Sequence, residues 1–159
     1  MKVVVIAVGR LKNGPERDLL ERYLDRAGRA GRQLGLAFEL REVPESPARS
    51  GPVRKDEEAA AIRALVPAGA PLVVLDERGR ALDSRGFAER IATWRDGGIR
   101  ELAIAIGGAD GLGEAALSAA DLRLSFGAMT WPHQLVRILL AEQLYRAVTI
   151  LSGHPYHRD

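Results

Sequence analysis

The chain has 159 residues, 47% of them hydrophobic and 28% charged, with a formal net charge of +2 and no cysteine. That length suits one domain with a core of its own, and residues 1–159 are read as such. The absence of cysteine excludes a disulfide framework, a thiolate metal site and a cysteine nucleophile, the small charge is no argument for nucleic acid by itself, and no apolar run reaches membrane-spanning length, so a cytoplasmic location is expected.

Residues 3–8 are apolar, mostly β-branched and unbroken. They predict a strand buried on both faces, as found inside a parallel sheet. Gly9, Asn13 and Gly14 break it. Pro15 then suits the first turn of a helix, with Glu16 and Asp18 behind it, and Leu19, Leu20, Tyr23, Leu24 and Ala27 recur on one helical face. Residues 36–43 alternate as a second strand. Residues 44–52 read as a loop, and residues 56–65 as a helix stopped before Pro67. Residues 72–75 form a third buried strand, ending in a turn at residues 76–79. Ser84 is placed to cap a helix over residues 85–94, closed by Gly97 and Gly98. A fourth strand over residues 102–106, a short helix near residues 114–120 and a fifth strand near residues 122–126 follow. Strands alternating with helices predict an α/β fold with a mainly parallel sheet and flanking helices.

The last helix, residues 134–150, carries apolar residues on two sides. Val136, Leu140, Leu144 and Val148 make one face, and Leu135, Ile138 and Leu139 the other. An amphipathic surface helix has one such stripe. The second face therefore needs a cover, either a second copy of the chain or the rest of a three-layer monomer. Glu142 and Arg146 form an i, i+4 pair in the favourable order, read as surface stabilisation.

Ligands of open α/β sheets bind outside the carboxyl ends of strands, which selects the loops after Leu75, Ile106 and Phe126. Gly107 and Gly108 allow close approach to the main chain, or else serve a tight turn. Residues 111–116 match a dinucleotide fingerprint only loosely, begin too late after the strand, and carry Asp110 and Glu114, which oppose a pyrophosphate. Residues 126–131 are small, apolar and flexible. They offer main-chain polar groups beside aliphatic ones, as an adenine ring requires, with Thr130 expected as N-cap and Pro132 at the helix start. His154 and His157 have metal-like spacing. They lie in a tail with only Asp159 as a nearby carboxylate, and no metal is expected. His133 reads first as a helix N-terminal residue bonding locally. Tyr156, His157 and Arg158 suit stacking on a base and binding a phosphate, or packing of an ordered tail.

The segments 104–112, 124–137, 140–146 and 154–157, together with the start of the chain and residues 75–79, resemble the RlmH family of SPOUT-class methyltransferases over essentially the whole length. The resemblance implies methylation of N3 of a pseudouridine in 23S rRNA of the large ribosomal subunit. It implies an α/β knot, with the C-terminal segment threaded as a trefoil. S-adenosyl-L-methionine would bind at Leu75, Gly107, Phe126, Gly127, Ala128, Met129, Thr130 and Trp131. A homodimer would form through the last helix, with the tail of one subunit near the methyl group held by the other. In that setting His157 is the first candidate for the base that takes the N3 proton and His133 the second. Tyr156 would hold the nucleoside and Arg158 a phosphate or base carbonyl, with Arg137 a weaker candidate nearby. A net charge of +2 cannot grip a ribosome by charge alone, so the expected substrate is the large subunit or assembled ribosome, recognised by shape. The competing reading is a nucleotide-binding module without methyl transfer.

Overall fold

A computed structural model describes residues 1–158. Five strands, β1 (Lys2–Val8), β2 (Ala37–Val43), β3 (Leu72–Ala81), β4 (Glu101–Ile106) and β5 (Leu122–Ser125), form a sheet in the order β2-β1-β4-β3-β5. Every pairing is parallel. The intervening helices are α1 (Pro15–Gly31), α2 (Gly51–Leu65), α3 (Ser84–Asp96) and α4 (Glu114–Ser118), and α5 (His133–Leu151) follows the last strand.

Strand β1 explains the layering. Its odd residues Val3, Val5 and Ala7 pack with Phe87 and Ile91 of α3 and with Leu140, Leu144 and Val148 of α5. Its even residues Val4, Ile6 and Val8 pack with Ala59 and Ile62 of α2 and Ala116 of α4. A strand with both faces covered must be apolar at every position, which is why its pattern is unbroken. The loops after β3 and β4 leave toward opposite faces of the sheet. They part at the carboxyl edge and open a crevice there, the expected place for a ligand.

Several elements differ from expectation. β3 does not end at Leu75. It bulges and resumes, with Leu75 and Arg80 both opposite Leu124, and the turn at residues 76–79 is the bulge itself. Gly79 is required there, because a Cβ would stand 2.7 Å from the carbonyl carbon of Arg123. Helix α2 starts at Gly51, with Pro52 in its first turn; proline is compatible with that position, so part of the expected loop is helix. The cap of α3 is Asp83, whose carboxylate accepts from the Gly86 N–H at 2.7 Å, and the Ser84 hydroxyl instead reaches Gln143 of α5 at 2.8 Å. Helix α5 is capped at Pro132 without a side-chain bond, so Thr130 is not its cap.

The second face of α5 has a cover within the chain. Ile138 packs with Leu11, Leu20 and Ala141, under α1. Leu135 stays 40% exposed and Leu139 is half-buried.

Arg137 fastens α5 to the sheet. It is 1% exposed, donates to the Val8 carbonyl at the end of β1 and pairs with Glu42 of β2 at 3.1 Å. It is therefore a structural cation and not a phosphate contact. Its replacement would leave the Glu42 carboxylate with Arg17 as its one paired cation, beside the Leu11 N–H. Arg137→Met is expected to lower stability by about 3 kcal/mol in urea denaturation. A loss below about 1 kcal/mol, the value of an exposed pair, would contradict the assignment.

Candidate active site

Three loops leave the carboxyl ends of β3, β4 and β5 and enclose a cavity of about 500 Å³, within the range of small-molecule sites. The β3 bulge contributes Leu75, Asp76, Glu77 and Arg78, and the loop after β4 contributes residues 106–112. The loop after β5 contributes Phe126, Gly127, Met129, Thr130 and Trp131, and α5 contributes His133 and Val136. All the residues expected to hold the cofactor thus lie on this cavity except Ala128, which is exposed on the same loop.

The glycines of the β4 loop have an explanation without a ligand. A Cβ on Gly107 would stand 2.7 Å from the Gly111 carbonyl carbon, and one on Gly108 3.0 Å from Glu58 Oε2. The loop folds tightly on itself at Gly107 and lies close against Glu58 and Val8 at Gly108, and its positive φ falls at Gly111, at 81°. After β5, Gly127 has φ 109°, a left-handed turn that favours glycine. Ser125, 6% exposed, links the two walls. Its hydroxyl lies 3.1 Å from the Glu77 carbonyl and 3.0 Å from that of Gly127, and accepts from the Gly127 N–H at 3.1 Å. Sequence reasoning does not single out Ser125, because a lone serine at a strand end carries no pattern.

The charges around the cavity are partly paired. Asp110 is held by Arg54 at 2.7 Å, and the Arg54 guanidinium keeps its carboxyl below the ordinary value. His133 is held below its ordinary value of 6.5, first by burial and then by the charge of Arg137. It therefore faces neutral solution as an uncharged imidazole.

The tail is elsewhere. Tyr156 donates to Glu142 at 3.0 Å and packs on Tyr145 at 4.7 Å between ring centres. Arg146 lies 4.8 Å over the Tyr156 ring and also holds Glu142 at 2.5 Å. Burial, followed by the bond to Glu142, raises the Tyr156 phenol, which stays protonated at neutral pH. Arg146 also meets His157 Nδ1 at 3.3 Å. With Arg146 as donor, Nδ1 accepts and Nε2 carries the hydrogen. His154 accepts from the Tyr156 N–H at 3.2 Å within the tail. Glu142 and Arg146 are thus the framework of the tail, more than a surface pair. Glu142 lies nine residues along α5 from His133, about 13 Å at helical rise. Within one protomer Tyr156, His157 and Arg158 do not join the cavity. Asp159 lies outside the described residues, and among those described no group of three or more acidic or histidine side chains could hold a metal ion.

Residues 1–157 match a family profile described as "Predicted SPOUT methyltransferase". Ribosomal RNA large subunit methyltransferase H of Rhodopseudomonas palustris (strain BisB18) is 59% identical over 159 residues, 99% of each chain. This chain is an RlmH-family SPOUT methyltransferase. The protein of the same name from Rhizobium rhizogenes (strain K84 / ATCC BAA-868) is 58% identical over 159 residues, again 99% of each chain. Among solved structures, a probable methyltransferase from Bordetella pertussis Tohama I superposes with a TM-score of 0.53 at 19% identity, covering 92% of this chain and 95% of that one. That similarity bears on the fold, and the parallel α/β sheet of this RlmH-family chain agrees with it.

Two outcomes are expected. Gly107→Ala forces the β4 loop away from Gly111 and costs roughly 1–3 kcal/mol, as overpacking does; an unchanged melting temperature would refute the tight approach. By NMR, His133 should titrate with a midpoint below 6.5. The unfolded chain then takes up this proton before the folded one does. Stability accordingly falls as pH drops below 6.5 toward the folded midpoint, and His133→Gln should flatten that slope.

Proposed function

We propose that this chain is an S-adenosyl-L-methionine-dependent methyltransferase that methylates N3 of a pseudouridine in 23S rRNA. In this reading it acts in the cytoplasm on the large subunit or assembled ribosome. It works as a homodimer, each chain being one SPOUT domain whose C-terminal segment is threaded as a trefoil knot. The observation that carries the reading is full-length likeness, 59% identity over 99% of each chain, to a relative named ribosomal RNA large subunit methyltransferase H. The competing reading, a nucleotide-binding module without transfer, has no comparable support.

The cavity fits the cofactor on its own chemistry. Leu75, Ile106, Phe126 and Val136 supply apolar walls for a flat ring, and the irregular chain at residues 126–131 offers main-chain N–H and C=O groups to its edge. When bound, S-adenosyl-L-methionine supplies the methyl group: the bond from its cationic sulfur breaks as the bond to N3 forms, and the charge on sulfur disappears. Apolar walls suit this change, since a wall that stabilised the cation more than the transition state would slow transfer. The N3 proton must go to a base. Tyr156, His157 and Arg158 of a second protomer are the proposed partners of the cavity: His157 takes the proton, Tyr156 holds the nucleoside and Arg158 holds a phosphate or base carbonyl. To accept a proton at Nε2, His157 must first give up the contact that keeps its hydrogen there, so release from Arg146 belongs to the step. His133 is the second candidate base, already uncharged and on the cavity wall. The exposure of Met129, Trp131 and Leu135 at the mouth of the cavity and the start of α5 supports a covering protomer on that side.

Mass spectrometry of rRNA from large subunits incubated with enzyme and cofactor tests the activity. Transfer is expected on whole particles, and a short hairpin methylated equally well would refute shape recognition. His157→Ala should lower kcat at least about a hundredfold, the usual value of a positioned base, with cofactor affinity by calorimetry unchanged. A loss confined to His133→Ala would reassign the base. Mixing His157→Ala protomers with protomers blocked by Thr130→Trp should restore transfer if two chains build one site.

A further inference from the structure

Beside the cofactor cavity, on the same edge of the sheet, a second cleft of about 630 Å³ lies between the loops after β1 and β2. Arg10, Lys12 and Asn13 line one side, Pro44 and Glu45 the other, with Gln134 of α5 between. The first turn of α5 therefore borders both spaces, His133 facing one and Gln134 the other.

The β1–α1 loop on this cleft is held far more firmly than a connection requires. Leu11 is 5% exposed and packs with Leu20, Ile138 and Ala141. Its N–H donates to Glu42 at 2.9 Å, and its carbonyl accepts from Arg17 Nε at 3.0 Å and Nη2 at 2.7 Å. Glu42 is in turn held by Arg17 and Arg137, each at 3.1 Å. With Leu11 fixed inward at both backbone groups and its side chain, Arg10 and Lys12 are held outward. Both are exposed, and among the described residues neither forms an ion pair. Elsewhere around the active edge Arg54 is paired with Asp110, and Arg17 and Arg137 with Glu42, whereas Lys55, Arg78 and Arg123 line the neighbouring cavity rather than this cleft. Two available cations on a pinned loop, next to the methyl donor, are what a polyanion's backbone needs.

We propose that the loop carrying Arg10 and Lys12 is a phosphate-binding element that grips the RNA backbone flanking the target nucleotide. It rests on the reading that the substrate is ribosomal RNA. The cleft behind it, with Asn13 and Gln134 as neutral polar groups, takes the neighbouring nucleotide. Glu16 and Glu45 on its rim confine the phosphates to the Arg10–Lys12 side. Gripping RNA here is compatible with a net charge of only +2, because the charge that matters is local and pre-positioned.

The test compares wild type, Arg10→Gln/Lys12→Gln and the matched control Arg32→Gln/Arg100→Gln. The control removes two exposed cations near the amino ends of β2 and β4. Methyl transfer to large subunits is measured against subunit concentration at several salt concentrations, and cofactor affinity by calorimetry. The loop variant should raise KM for subunits about tenfold or more and reduce the magnitude of the log–log salt slope by about 0.7 for each phosphate it no longer neutralises. Its cofactor Kd should stay within about twofold of wild type, which also reports that the variant is folded, and the control should match wild type throughout. Wild-type KM and slope in the loop variant overturn the proposal while leaving the methyltransferase reading intact. A raised KM with an unchanged slope also overturns it, since the loop would then touch something other than phosphate. A wild type that transfers no methyl group removes the reading itself and this inference with it.

Discussion

The carboxyl edge of this sheet depends on one buried guanidinium. Arg137 sits mid-way between the loop that follows β5 and the body of α5, and it is tied to the last carbonyl of β1 and to Glu42 of β2. A cation at 1% exposure is costly unless its hydrogen bonds are met. Two of its three nitrogens are met, and Nε has no partner among the described residues. Burial pushes Arg137 down from its ordinary value, and Glu42 and Glu45 oppose that. The same carboxylate, Glu42, also takes Arg17 and the Leu11 N–H. One acidic side chain therefore couples the first loop of the chain, its second strand and its last helix. The position of His133, one turn before Arg137, follows from that coupling.

The strands and helices are largely legible because burial on two faces writes itself as unbroken apolar runs in β1 and β4, and on one face as helical periodicity in α1. Two of the departures share a cause. The β3 bulge and the partner of the Ser84 hydroxyl depend on what lies across the chain. Gly79 meets Arg123 of β5, and the Ser84 hydroxyl is taken up by Gln143 of α5. Such contacts have no local signature. Arg137 misleads for the same reason: a lone arginine on an apolar helix looks like a ligand contact until its buried partners, many residues away, are known.

The site divides along the same line. Positions close in sequence, such as Phe126, Gly127, Met129, Thr130 and Trp131, are legible as one loop, and they line one cavity with Leu75 and Gly107. Ser125 is not legible, since its role is to bond across to the β3 bulge. Nor is the reason for the glycines, which the fold demands for its own closure. A glycine-rich loop after a strand is therefore weaker evidence of a ligand than it looks, and the cavity is the stronger evidence.

The tail poses a problem of distance that one chain does not solve. Glu142, Arg146 and Tyr145 pin Tyr156 and His157 near the middle of α5, while the cavity lies at its start. Bending the tail back to its own cavity would forfeit the Glu142 bond, the tilted ring contact with Tyr145 and the cation over the Tyr156 ring together. Moving a partner's cavity to the tail forfeits none of them. In the proposed homodimer, a second protomer docking over Trp131 and Leu135 would lose rigid-body freedom and order side chains at the interface, offset by covering apolar surface that is otherwise exposed. Under the proposed two-protomer site the tail is built to be visited rather than to travel, and the contact between Arg146 and His157 is the element that would loosen when a partner's cavity arrives.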